Sequence, residues 1–182
     1  QGGMGLSMSE LGILCRELGK YCGSTAMIYA MHQIQIACMV HHQQSSPEYM
    51  SYMAEIVEHQ YLIASATTEV GVGGDLRSSI CALEMQVGRF ILNKEAPVIS
   101  YVEDADALMI TCRRNPEAPA NDQVHVLLHK SDYKLRKIAS WDTMGFRGTC
   151  SSGFSVSASG EQWQIQQVPF GDILHHTMHP VA

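Results

Sequence analysis

Basic charge is scarce in this sequence. Twelve lysines and arginines stand against 18 acidic residues in a chain of 182, for a formal charge of -6. Proteins that grip phosphate backbones draw on the opposite balance, so nucleic-acid binding is set aside. Long apolar runs are also lacking. The most apolar segment, Ala26 to Val40, is interrupted by His32, Gln33 and Gln35, and falls short of the ~18 uninterrupted apolar residues that a membrane span needs. No basic stretch precedes an apolar one at the N-terminus, so neither a signal peptide nor a membrane location is expected. The six cysteines (Cys15, Cys22, Cys38, Cys81, Cys112 and Cys150) include no C-x-x-C pair. Several sit in apolar runs, where a reduced thiol behaves as a small hydrophobe, and a reducing, cytoplasmic compartment is expected. There is no internal repeat and no low-complexity tract. The chain opens on Gln1 in mid-pattern, from which a fragment of a longer protein is expected.

What is present is enough apolar material for a core: 46% of the residues are hydrophobic, which suits one large domain or two small ones. The first 60 residues read as helices. Ser7 and Glu10 form a capping box ahead of Leu11, Leu14 and Leu18. Ser24 or Thr25 can cap a second helix, Ala26 to about His42, whose apolar residues leave almost no polar face and predict burial all round. Ser46-Pro47-Glu48 supplies a cap, a first-turn proline and an acid at the positive end of the dipole, for a third helix to about Glu58.

Beyond Tyr61 the signals are those of strands and turns. Ser79 to Val87 and Arg89 to Asn93 flank a turn at Gly88. Ala107 to Arg113, Val124 to His129, Tyr133 to Ala139, Gly153 to Ser159 and Trp163 to Val168 are further candidates, with a polar loop from Asn115 to Asp122. This order predicts an α+β chain, helical first and then an antiparallel sandwich or small barrel.

One stretch carries unusual chemistry. Thr67-Thr68-Glu69-Val70-Gly71-Val72-Gly73-Gly74-Asp75 places glycines and carboxylates directly behind a strand-like run. A dinucleotide fingerprint would need G-x-G-x-x-G between a strand and a helix. The final spacing is missing and strands follow, so the cluster alone reads as a turn. In its wider setting, however, Ala66 to Asp75 resembles the T-E-P-G-x-G-S-D signature of the acyl-CoA dehydrogenase family. Gly2-Gly3-Met4-Gly5-Leu6-Ser7 looks like that family's G-G-x-G-L-S helix entry. Arg89 to Lys94 through Ile99-Ser100 resembles its Y-x-L-N-G-x-K-x-x-I-T strand pair, and Thr143-Met144-Gly145-Phe146-Arg147-Gly148-Thr149 its M-G-x-R-x-S/T segment. The four lie in the family's order along nearly the whole chain.

The resemblance implies a partial N-terminal helical domain over 1–60, the middle β-barrel flavin-binding domain over 61–170, and a linker over 171–182 towards an absent C-terminal helical domain. That domain would supply the carboxylate base, most adenosine contacts and the oligomer interface, so no catalytic residue is assigned here and a homo-oligomer is expected of the intact protein. FAD is the implied cofactor. Desaturation removes an α-proton and delivers a β-hydride to the flavin, which must lie flat on a fixed wall. By resemblance, Thr67, Thr68, Gly73, Gly74, Val98, Ile99 and Ser100 would line the flavin, with Thr68 and Ser100 the firmest, while Thr149 would lie near the thioester arm of the substrate. Read as residues alone, each hydroxyl satisfies its own strand or turn.

Three departures stand out: Val70 replaces a proline, Gly74 a cofactor-contacting serine, and Val98 a tryptophan beside the flavin. The leading expectation is α,β-dehydrogenation of an acyl-CoA, as in fatty acid metabolism. A flavin-dependent monooxygenase on the same fold and a non-catalytic scaffold with a decayed flavin site are the alternatives. These 182 residues alone are expected neither to hold FAD firmly nor to oxidise an acyl-CoA. Other groups take plainer readings. His176 and His179 lack the supporting ligands of a zinc site, so no metal is expected. Glu69 and Asp75 read as acids bonding N–H groups beside a glycine turn.

Overall fold

A computed structural model describes residues 4–42 and 46–178. Gly2, Gly3 and His179, singled out above, lie outside the described residues.

Helix α1 (Met8–Gly19) begins at its capping box, with the Ser7 N–H donating to the Glu10 carboxylate at 2.7 Å and the Glu10 N–H to the Ser7 hydroxyl. Helix α3 (Pro47–His59) is capped by Ser46, whose Oγ accepts the Tyr49 N–H at 3.0 Å. Pro47 stands in the first turn, where its missing N–H has no partner to lose. Helix α2 (Gly23–His41) starts earlier than the sequence predicts: Cys22 occupies the cap position, and Ser24 and Thr25 fall inside the first turn.

Nor is α2 buried all round. Gln35, Cys38 and Met39 are buried, whereas Met27 and Val40 are 41% and 43% exposed. Its apolar faces serve three separate clusters. Ile28 and Met31 pack on the core between the sheets, Ile36 and Met39 join the α3 cluster, and Ile34 and Cys38 join the C-terminal helical segment. A helix shared in this way needs apolar residues on every side without any turn being enclosed.

The strands form two sheets. In the first, β1 (Ile63–Ala66) pairs parallel with β4 (Ala107–Arg113), and β4 antiparallel with β5 (Gln123–His129). In the second, β2 (Glu84–Gln86), β3 (Arg89–Ala96), β7 (Gly153–Glu161) and β6 (Tyr133–Ala139) lie antiparallel in the order β2-β3-β7-β6. The parallel β1–β4 pair departs from the antiparallel expectation, because the chain between them crosses over through β2 and β3. Inward side chains of both sheets meet in one core, with Ala64, Leu108, Ile110 and Val126 facing Phe90, Leu92, Phe154 and Val156. Strands β4 and β5 are buried on both faces, since Tyr49, Tyr52 and Met53 of α3 cover Met109 and Leu127. This is why they read as continuous apolar runs.

Two expected strands are shorter or absent. Of Ser79 to Val87 only Glu84–Gln86 pairs as strand, preceded by a single bridge from Ala82 to Arg113. Gln162–Gln164 is a 3₁₀ turn, and beyond it Ile165 alone bridges to Val126. Buried glutamine side chains replace the ladder there: the Gln164 amide donates to Leu127 O at 2.8 Å, and the Gln166 amide to the Tyr49 hydroxyl at 3.0 Å. After Pro169 the chain forms α4 (Phe170–Ile173) and a π-turn, Leu174–Met178, packed on Ile34 and Cys38 of α2.

Candidate functional site

The threonines follow β1 directly. The Thr68 hydroxyl donates to Val98 O at 2.8 Å, and the Val70 N–H donates to Glu95 O at 2.9 Å. The segment from Thr67 to Val70 therefore runs beside the chain leaving β3. Val98 is 37% exposed next to Thr68, whereas the Ile99 side chain is wholly buried in the core between the sheets. An apolar surface patch beside a hydroxyl is thus built from Val98, not from its neighbour.

Ser100 lies in a turn rather than on a strand, between two backbone bonds: the Ile99 N–H donates to Ser152 O at 2.9 Å and the Tyr101 N–H to Thr149 O at 2.8 Å. Its buried hydroxyl lies 2.8 Å from that of Ser151, which lies 2.7 Å from that of Thr149. The Thr149 hydroxyl donates to Phe146 O at 2.8 Å. A hydroxyl has one proton, so the order is fixed. Thr149 spends its proton on the carbonyl, Ser151 must donate to Thr149, and Ser100 must donate to Ser151. Ser100 is left with its lone pairs for any further hydrogen bond, and can take part in one as an acceptor.

The structure thus joins Thr68 to Val98 and Ser100 to Thr149, with Val98-Ile99-Ser100 linking the two halves. Gly73 and Gly74 are not drawn into this network. They occupy an exposed turn at φ +62° and +84°, and a Cβ at either would meet nothing within 4 Å. Glycine is demanded there by backbone conformation, not by close approach.

Ser151 escaped the sequence reading because Cys150-Ser151-Ser152 looks like solvated turn. Lys94 escaped it too, although the signal was present: strand parity places Lys94 on the inward face with Phe90 and Leu92. Its ammonium donates to Thr111 O at 2.7 Å and Thr111 Oγ1 at 3.0 Å, and lies 3.8 Å from the Glu69 carboxylate. Burial lowers the Lys94 pKa, opposed by the attraction of Glu69. Glu69 also accepts from the Ser79 hydroxyl at 2.7 Å, the Ile80 N–H at 3.2 Å and the Cys81 N–H at 2.5 Å. It is a buried brace for residues 79–81, unavailable as a base. Asp75 binds the Arg77 N–H and guanidinium, both at 3.0 Å. Among the described residues, no group of three or more His, Cys, Asp or Glu could hold a metal ion.

Thr68 beside Val98, and the buried hydroxyls of Ser100, Ser151 and Thr149, form a neutral set of donors and acceptors joined through Val98-Ile99-Ser100. Such a donor set suits an uncharged flat ring with polar atoms at its rim. It does not suit a phosphate, which takes cationic or clustered N–H partners.

The chain thus runs from three helices into two β-sheets that share one core. No family model matches the sequence. Similar curated proteins are the cyclohex-1-ene-1-carbonyl-CoA dehydrogenase of Geobacter metallireducens, 25% identical over 153 residues, covering 83% of this chain and 40% of that one, and the mitochondrial isovaleryl-CoA dehydrogenase of Arabidopsis thaliana, 22% identical over 155 residues, covering 84% and 38%. Among solved structures, FMN-bound TdsC from Paenibacillus sp. A11-2 superposes with a TM-score of 0.78 at 18% identity, covering 92% of this chain and 42% of that one. An acyl-CoA dehydrogenase from Geobacillus kaustophilus gives a TM-score of 0.78 at 16% identity, covering 96% and 47%. The chain has the acyl-CoA dehydrogenase fold and resembles acyl-CoA dehydrogenases along most of its length. It spans about two fifths of the length of the curated relatives it matches.

Proposed function

We propose that this chain is the flavin-holding part of an acyl-CoA dehydrogenase-like oxidoreductase, acting in the intact protein on an acyl-CoA thioester by α,β-dehydrogenation. The observation that carries the reading is the neutral edge joining Thr68, Val98 and Ser100. When bound, FAD supplies the hydride-accepting ring. In this reading Thr67 and Thr68 offer main-chain and hydroxyl groups to one side of the ring. Val98 forms its apolar backing and excludes water. Ser100, with its proton committed to Ser151, would hold the rim of that ring as a hydrogen-bond acceptor. Thr149 anchors the hydroxyl chain and stands on the side assigned to the thioester. Gly73 and Gly74 offer backbone N–H groups from their exposed turn to the cofactor's phosphates. The base, most adenosine contacts and a homo-oligomeric interface are assigned to the remainder of the protein.

A second reading is flavin-dependent monooxygenation. One structural neighbour is described as a dibenzothiophene monooxygenase, with a TM-score of 0.72, and the small, part-exposed Val98 leaves more space at the ring than a tryptophan would. The two readings separate in one experiment on the protein at its natural length. Anaerobic addition of acyl-CoA bleaches the bound flavin if it is a dehydrogenase. If bleaching requires a separate reductant, and oxygen then enters an aromatic substrate, the monooxygenase reading holds instead.

A further inference from the structure

Behind the candidate site lies a pair of thiols that the proposed function does not use. The Arg113 N–H donates to Cys81 O at 2.8 Å and the Leu83 N–H to Arg113 O at 3.0 Å, which sets Ala82 beside Arg113 in parallel register. One residue back on each segment, Cys81 and Cys112 are therefore neighbours, and both side chains enter the same core. Adjacent strands lie ~4.8 Å apart, within the ~4.4–6.8 Å of Cα separation that a disulfide spans.

Their surroundings make the two unequal. Cys112 is fully buried, and desolvation drives its pKa well up. Cys81 is 6% exposed and lines a surface cavity of about 390 Å³ together with Ile80, Glu84, Arg113 and Pro116. A hydrogen bond from the Cys112 thiol lowers the Cys81 pKa, and the Lys94 ammonium adds to this against the opposing effects of burial and Glu69. Of the two sulfurs, the thiolate is thus favoured at Cys81, the one whose residue borders the cavity. A thiolate beside a cation is the setting in which cysteine is oxidised.

We propose that Cys81 and Cys112 form a peroxide-oxidisable thiol pair, with Cys81 as the attacking sulfur and Cys112 as the sulfur that closes the disulfide. The Cys81 thiolate attacks one oxygen of hydrogen peroxide. An S–O bond forms, the O–O bond breaks, and the departing hydroxide takes up a proton to leave as water. The Cys112 sulfur then attacks that of Cys81. The S–S bond forms, the S–O bond breaks, and the second hydroxide leaves as water with the Cys112 proton. Two thiols lose two electrons and two protons, and one peroxide becomes two waters. The product would tie the segment carrying Glu69's partners covalently to β4, without any role for a bound cofactor.

The test is to treat the natural-length protein with hydrogen peroxide, block remaining thiols, digest without reductant and map the peptides by mass spectrometry. A reductant-sensitive peptide pair joining Cys81 to Cys112 is expected. In Cys112→Ser, which keeps a hydrogen-bond donor beside Cys81, the pair is lost and a dione reagent traps a sulfenic acid at Cys81. Oxidation confined to the exposed Cys22 and Cys150, with Cys81 and Cys112 recovered as free thiols, overturns the proposal. So does sulfenic acid trapped at Cys112 in Cys81→Ser with none at Cys81 in Cys112→Ser. Should either variant fail to fold, the linkage map of the unsubstituted protein decides alone.

Discussion

Ser100 and Ser151 share a hydroxyl–hydroxyl contact of 2.8 Å whose proton direction is set by Thr149, because the Thr149 hydroxyl gives its own proton to Phe146 O. Ser100 therefore keeps its lone pairs for a further bond and acts there as an acceptor. Removing its hydroxyl costs about 1 kcal/mol of stability, and in the intact protein it shifts the absorption of bound flavin or slows its reduction. Ser151→Ala returns the proton to Ser100 and alters the same spectrum with the Ser100 side chain still in place. An unchanged spectrum and reduction rate in both variants would assign the pair to structure alone.

Gly153 holds the turn between β3 and Ser100 in position. A Cβ there would stand 2.8 Å from Pro97 O and 3.0 Å from the Ala139 side chain, and backbone cannot yield as a flexible side chain does. Gly153→Ala is expected to destabilise the fold by ~1–3 kcal/mol and to displace Val98 and Ser100. Chemical denaturation measures the first effect and loss of flavin retention the second. Native stability with native retention would show that the turn tolerates the shift.

Stability should fall with acid. Burial lowers the His125 pKa from 6.5 to about 3, and burial also lowers that of His32, whose Nδ1 accepts the Ile63 N–H at 3.1 Å. A depressed histidine stays neutral when folded, while the unfolded chain takes up the proton. The contribution is fully present above pH 6.5 and is lost as pH falls towards 3, with a slope for His125 approaching ~1.4 kcal/mol per pH unit. Denaturation midpoints measured across that window should drop, and His125→Leu should flatten the profile. Parallel profiles for the two proteins would show that His125 titrates normally.

The Glu69–Lys94 pair should punish half-removal. Lys94→Ala leaves a buried carboxylate without its cation and is expected to cost ~3–5 kcal/mol, whereas Lys94→Met with Glu69→Gln should recover much of that loss. A double-mutant cycle read by denaturation checks the coupling, and additive effects would contradict it.

These relationships differ in how plainly the sequence carries them. Ser7 with Glu10 and Ser46 with Tyr49 are contacts three residues apart, so local chemistry announces the starts of α1 and α3. The boundary of α2 is less legible, since Cys22 holds the cap position while Ser24 and Thr25, two and three residues later, look better suited to it. Strand parity carries Lys94 inward, but its partners lie 17 and 25 residues away on other segments and become visible only once β3 crosses β4. Thr68 and Ser100 stood out through resemblance. Ser151, which sets the proton direction of Ser100, did not, because a serine pair beside a turn has no periodicity to mark it. The parallel β1–β4 pairing is likewise a property of the crossover, which no short run encodes.

The central claim is that Thr68, Val98 and Ser100 form a wall for a flavin ring, and the retention of flavin by the natural-length protein tests it most directly. The protein is mixed with FAD or FMN, passed through gel filtration, and its visible absorption compared with that of Thr68→Val and Ser100→Ala. The account predicts one flavin per chain with a perturbed spectrum, reduced retention in Thr68→Val and an altered spectrum in Ser100→Ala. A colourless protein that takes up neither flavin, or full retention with an unaltered spectrum in both variants, would contradict it.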